Sequence, residues 1–213
     1  MSTKVTLVDY GIGNIYSVQR ALETAGAAVL LTGRPEDIET AERLVLPGVG
    51  AFADCMSGLR DRGLVDPLLH YAATGRPLLG ICVGMQMLAT MSEEFGEHPG
   101  LGLVPGRVAA VLSTGTEGEE LKIPHTGWTA LHLPPSVSWQ DSPLADTREG
   151  ESVYVVHSYA VEPTDPAHRL ADCYYGGRRI CAAVRRERIF GCQFHPEKSG
   201  PAGLRMLARF LTC

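Results

Sequence analysis

Over the first ninety residues, short apolar runs alternate with stretches of helical periodicity, and this alternation restricts the chain more than any other feature. The runs are KVTLVDY (4–10), AAVLLT (27–32), RLVLPGVG (43–50) and RPLLGI (76–81). After the first of them, IYSVQRALETAG places Ile15, Val18, Leu22 and Ala25 on one face, with Asn14 positioned to cap the helix and Gly26 to stop it. Further helices are expected at about 51–60, with Phe52, Met56 and Leu59 on one side, at about 64–75, and at 83–91. Continuously apolar strands separated by helices build a parallel sheet covered on both faces.

The second half changes character. LGLVPGRVAAVL, TGWTALHL, SVYVVHSYAV and the long stretch 168–195 read as short strands. Tyr175-Gly176-Gly177-Arg178 has the composition of a two-residue hairpin turn, and a second tight turn is expected near Arg186-Glu187. The polar stretches 113–120 and 133–151 read as exposed loops, the latter with room for a short helix. A closing helix carries Leu204, Leu207 and Leu211 at helical spacing. The expected architecture is one α/β domain over 1–213. It comprises an open, mostly parallel sheet flanked by helices, with an antiparallel strand extension.

Composition removes several functions. With 213 residues and 45% hydrophobic content the chain can bury a sizeable core. A formal net charge of −5 gives no reason to expect nucleic acid or anionic membrane as a partner. No apolar stretch reaches the roughly 20 residues that span a bilayer, and MSTKVTLVDYG lacks a signal-peptide pattern, so the cytoplasm is the expected location. The six cysteines form no C-x-x-C pair, which argues against a zinc or dithiol site.

One cysteine stands apart. In GICVGMQ (80–86), Cys82 falls where a buried strand passes into a helix, between Gly80 and Gly84. A side chain on such a turn is held at the sheet edge, as in the nucleophile elbow G-x-S-x-G. Flanking glycines are expected to let the backbone turn and leave room for a substrate, and the helix N-terminus favours thiolate. QFHPE supplies a partner: His195 and Glu197, two residues apart with a proline between, face the same way if the chain stays extended there. The carboxylate then orients the imidazole, as the third member of a triad does. PGVG (47–50) offers backbone N–H donors near Val49 for an oxyanion. GIGN (11–14) has no third glycine, since residue 16 is Tyr, so it is not a dinucleotide fingerprint. Sites in open α/β sheets lie at the carboxyl ends of strands, where DYGIGN, LPGVGAF, GICVGMQ and FGCQFHPEKSG are all expected to meet.

Together GICVGMQ, PGVGAF and FGCQFHPEKSG resemble the class I (triad) glutamine amidotransferases. DYGIGN, EHPGLGLVPGRV, PHTGWT, VYVVHSYAV and YYGG extend the likeness along nearly the whole chain. They resemble one branch in particular, the glutaminase subunits of imidazole glycerol phosphate synthase. The resemblance implies that Cys82 attacks the side-chain amide of L-glutamine while N–H groups near Val49 and Val83 hold the oxyanion. His195 passes a proton to the departing ammonia, and Glu197 orients His195. Gly50, Gln86, His157, Ser158 and Tyr159 would hold the glutamine. The implied partner is a (β/α)8-barrel cyclase subunit in a heterodimer, with no metal or organic cofactor. There ammonia joins a ribonucleotide intermediate to give imidazole glycerol phosphate and an aminoimidazole carboxamide ribonucleotide.

Ammonia released openly is lost, so the site is expected to face the cyclase, with Asn14, Trp128 and Lys198 at the contact. Rotation of the Gly48–Val49 peptide is the expected switch that couples glutaminase activity to the loaded cyclase. The branch usually has Asn where this chain has Thr129. Two rivals remain. The glutaminase partner of pyridoxal phosphate synthase shares the triad, but its family carries Gly-Gly-Glu-Ser-Thr where this chain has LPGVGAF. A non-catalytic scaffold would not need Cys82, His195 and Glu197 intact.

Overall fold

The computed structural model describes residues 2–135 and 137–213. The first half contains β1 (Thr3–Val8), α1 (Ile15–Thr24), β2 (Ala27–Thr32), α2 (Pro35–Glu39), β3 (Leu44–Gly48), α3 (Phe52–Asp61), α4 (Val65–Ala73), β4 (Leu78–Cys82) and α5 (Val83–Met87). The second half runs β5 (Ala89–Ser92), β6 (His98–Pro99), β7 (Val104–Ala110), β8 (His125–Ala130), β9 (Ser152–His157), β10 (Tyr159–Pro163), β11 (Arg169–Tyr175), β12 (Arg178–Arg186), β13 (Ile189–Cys192) and α6 (Gly200–Phe210).

The main sheet has seven strands in the order β11-β12-β13-β4-β3-β1-β2. The five from β13 to β2 are parallel, and β12 and β11 extend them antiparallel. β3 and β4 are buried at every residue because helices cover both faces, and that is why LVLPG and LLGIC carry no polar alternation. β2, at the edge, alternates through most of its length. A four-stranded sheet (β10-β7-β5-β6) and the β8-β9 pair lie outside the main sheet. The insertion of β13 beside β4 brings QFHPE next to GICVG, with Cys192 opposite Ile81.

Several sequence expectations are corrected. The helix expected at 83–91 stops at Met87, and 89–92 is strand. Residues 83–89 are all buried, so apolar spacing there has no face to report, and pairing of β5 with β6 and β7 decides the outcome. α2 is an addition: it is one short turn with Pro35 in its first turn and only Ile38 buried, too brief to show periodicity. Among the described residues, the stretch 133–151 is neither fully exposed nor helical: Trp139, Ser142 and Leu144 are buried, and Trp139 Nε1 donates to Leu170 O at 2.7 Å. The second hairpin turn does fall near Arg186-Glu187, at 187–188, with Glu187 at φ +55°. Asn14 occupies the N-cap position of α1, but its side chain makes no capping bond.

Candidate active site

β4 ends and α5 begins at Cys82, which has φ +56° and ψ −115°. Such a conformation costs a non-glycine residue about 1–3 kcal/mol and persists only where the surroundings impose it. The glycines do something other than turn the chain. A Cβ at Gly84 would lie 1.9 Å from Leu46 O, one at Gly80 2.6 Å from Gly84 O, and one at Gly48 2.6 Å from Gly84 N. None of the three has a positive φ. They let the first turn of α5 lie directly on the backbones of β3 and β4, and that contact forces the sharp bend onto Cys82. The space that the sequence reading reserved for substrate at Gly80 and Gly84 is filled by backbone.

His195 follows β13, and its backbone N–H donates to Tyr154 O at 2.9 Å. Ser199 Oγ donates to His195 O and accepts from Tyr154 N–H, tying the segment to β9. Pro196–Lys198 is a single 3₁₀ turn opened by the proline, not the extended chain expected from sequence. The turn still brings Glu197 Oε1 to 2.8 Å from His195 Nδ1. The Glu197 side chain is fully enclosed, with its Oε2 unpaired. This leaves His195 Nε2 for the Cys82 thiol. Gln193, behind them, donates from Nε2 to Cys82 Sγ at 3.8 Å and accepts from Gln86 Nε2 at 3.0 Å.

These groups open into a cavity of about 340 Å³. Cys82, His195, Val49, Gly50, Val83, Gln86, His157, Ser158 and Tyr159 all line it, as do Asn14 and Lys198 at its edge. Trp128 does not. It is 60% exposed on β8, edge-on to Tyr154 with ring centres 6.1 Å apart, while Lys198 Nζ sits 5.8 Å from the same Tyr154 ring. Gln86 spends its amide N–H groups on Tyr159 O and Gln193, so its oxygen is the atom left to accept from a ligand. Leu44 N–H donates across to Pro77 O, and the β3–β4 ladder repeats every two residues to Gly48. Gly48 is the last residue of β3 opposite β4, and Val49 follows beyond the ladder.

A nucleophile elbow bearing cysteine, a buried histidine–carboxylate pair and a cavity between them delimit the chemistry to acyl transfer. The family "Glutamine amidotransferase class-I" matches residues 6–213. This chain belongs to the class I glutamine amidotransferases. It is 47% identical over 210 residues to the "Imidazole glycerol phosphate synthase subunit HisH 1" of Legionella pneumophila (strain Lens), covering 98% of this chain and 99% of that protein. It is 46% identical over 209 residues to the HisH subunit of Geobacter sulfurreducens, covering 98% of each. Among solved structures, PurLQS from Thermotoga maritima superposes with a TM-score of 0.74 over 100% of this chain and 99% of that one. At 20% identity that likeness shows the fold alone.

Two features of this amidotransferase site lie beyond the sequence reading. Glu94 lines the cavity and accepts from Phe52 N–H at 2.6 Å, so it also fixes the start of α3. Nothing in SEEFGEHPG distinguishes it from an exposed acid. His125 on β8 is buried, stacks on Tyr175 at 4.0 Å and faces His157 across the β8–β9 pair. His157 Nδ1 lies 2.9 Å from Tyr159 O, which can only accept, so Nδ1 carries the proton. His157 Nε2 then accepts from His125 Nδ1–H at 3.2 Å, and both rings are neutral. Thr129, the departure from the branch, is buried against the Cys173 thiol and does not line the cavity.

Two histidines of this amidotransferase are displaced in opposite directions. Burial opposes charge on His195, but contacts with Cys82 and Glu197 outweigh it and raise the pKa to about 9. Burial, reinforced by His125 and His195, lowers His157 to about 4 despite its bond to the Tyr159 carbonyl. The stability contributed by His195 is complete below the unfolded value near 6.5 and is lost as pH rises through 9. That of His157 is complete above 6.5 and is lost as pH falls through 4. Denaturant titrations from pH 4 to 9 are therefore expected to give maximum stability near neutrality. His195→Asn should flatten the alkaline limb and His157→Asn the acid limb. Unchanged slopes in these variants would contradict the assignment.

Proposed function

We propose that this chain is the glutaminase subunit of an imidazole glycerol phosphate synthase, with Cys82, His195 and Glu197 as its catalytic triad. The observation that carries the triad is the strained Cys82 at the head of α5, facing a histidine locked to a buried carboxylate. The branch is carried by the likeness to HisH subunits over nearly the whole chain.

In this reading glutamine enters with its side-chain amide over Cys82. The carboxylate of Glu94 and the oxygen of Gln86 suit its α-ammonium, and the segment 157–159 flanks it. Cys82 sulfur adds to the amide carbon. His195, charged and held by Glu197, gives its proton to the amide nitrogen, the C–N bond breaks and ammonia leaves. Water then attacks the thioester with His195 as base, releasing glutamate and restoring the thiol. The Val83 and Val49 N–H groups serve the oxyanion. In this reading the Gly48–Val49 peptide rotates to aim the Val49 N–H at the oxyanion. An oxyanion donor contributes about 3–4 kcal/mol to the transition state, or roughly 100–1000-fold in rate, and the loaded partner supplies the contacts that favour rotation.

The proposed partner is the (β/α)8-barrel cyclase, seated over the cavity mouth as a heterodimer with Asn14 and Lys198 at the rim and Trp128 beside Tyr154. Glutamate release by the chain alone, with cyclase, and with cyclase plus its nucleotide ligand tests the function. Stimulation by orders of magnitude in the last mixture is expected, and glutaminase activity that ignores the cyclase would refute it. Trp128→Ala is expected to weaken the complex by about 2 kcal/mol, as truncating an aromatic near an interface centre does. An unchanged dissociation constant with undiminished ammonia transfer would remove Trp128 from the interface.

A further inference from the structure

β3 loses one neighbour before it loses the other. It pairs with β1 at Leu44 and Val45, whereas its pairing with β4 continues to Gly48. The β1-facing backbone of 46–50 therefore passes the active site with no strand beside it, and Pro47 has no N–H to contribute. Two buried side chains occupy the vacant edge. The Tyr10 hydroxyl donates to Pro47 O at 2.8 Å, and the Cys55 thiol donates to Val49 O at 3.3 Å. Tyr10 is 1% exposed and Cys55 0% exposed, and each lies within reach of the other. The two carbonyls they hold flank the Gly48–Val49 peptide, one on each side.

We propose that Tyr10 and Cys55 are positioning residues for the oxyanion-binding segment: they continue the missing ladder through side chains, so that motion at 47–50 is confined to the single Gly48–Val49 peptide. The inference rests on the function proposed above and adds to it the residues that define the hinge. Neither side chain lines the cavity or touches the substrate position. Without these two donors the neighbouring peptides are also free to turn, and the fraction of complexes with a correctly aimed Val49 N–H falls. Glutamine binding, which uses other groups, is spared.

The test uses the complete complex with cyclase and its nucleotide ligand. Turnover is expressed per Cys82 labelled by an electrophilic glutamine analogue, so that unfolded protein does not count. Tyr10→Phe and Cys55→Ala each remove one hydrogen bond and are expected to lower kcat for glutamine about five- to tenfold. KM should stay within about twofold, and ammonia-dependent turnover should not change. Cys55→Ser retains a donor of nearly the same size and is expected to recover most of the loss in Cys55→Ala. Wild-type kcat in Cys55→Ala, or a serine variant no better than the alanine one, would overturn the proposal. A wild-type complex without glutamine-dependent turnover would overturn the reading of the site itself.

Discussion

Cys82→Ala is expected to lower glutamine-dependent turnover by about 10⁴–10⁶-fold, the scale seen when a triad nucleophile is removed. The size follows from the geometry, because no other thiol replaces it. Cys55, Cys173, Cys181 and Cys192 are all buried with pKa values raised chiefly by desolvation, and Cys213 lies at the far end of the chain. Cys82 alone sits at the elbow with His195 and Gln193 against it. Alanine at 82 retains a Cβ and so inherits the same positive φ without new clashes. The complex with the proposed cyclase partner should therefore assemble and still use added ammonium at the wild-type rate. Measuring both activities on one preparation separates chemistry from folding. Glutamine-dependent turnover at the wild-type level would remove Cys82 from the mechanism.

Gly84→Ala should be among the most damaging single-methyl changes near this site. Its Cβ would lie 1.9 Å from Leu46 O, 2.9 Å from Leu46 C and 3.2 Å from Pro47 C, all of it backbone in a fully buried strand. Backbone has no rotamer by which to withdraw, so α5 must lift from β3 and take Cys82 with it. A destabilisation of about 3 kcal/mol or more is expected, at the upper end of overpacking costs. Glutaminase activity should fall even at temperatures where the protein remains folded. Gly50→Ala is the control. A Cβ there meets nothing within 4 Å, and only its φ of +85° resists the change, at about 1–2 kcal/mol. Comparison of the two denaturation midpoints decides the matter. Equal losses would show that the close approach at Gly84 yields more readily than a packed backbone should.

Both predictions concern residues that sequence reading singles out, yet the reason for the glycine came only from the fold. A glycine beside a turn suggests freedom of backbone angle. At 84 it is the absence of a side chain that matters, and the unusual angle falls on Cys82 instead. Likewise His195 and Glu197 do meet, but through a 3₁₀ turn, since proline starts such a turn as readily as it extends a chain.

What the sequence determined by itself is whatever depends on neighbours along the chain. The order of the first strands, the Gly176-Gly177 turn, the junction of strand and helix at Cys82 and the spacing of His195 and Glu197 are set by local pattern. They were legible because apolar spacing and backbone preferences act over a few residues. Contacts between distant segments decided the rest. Residues 83–89 are buried on all sides, so pairing with β6 and β7 turns 89–92 from helix to strand. Glu94 becomes part of the cavity only because Phe52 N–H holds it there, and Trp139 becomes core only by reaching Leu170 O. Tyr10 and Cys55 gain their place because the β1 ladder ends before β3 does. Such roles leave no local mark, since each is defined by a partner that folding alone brings into reach.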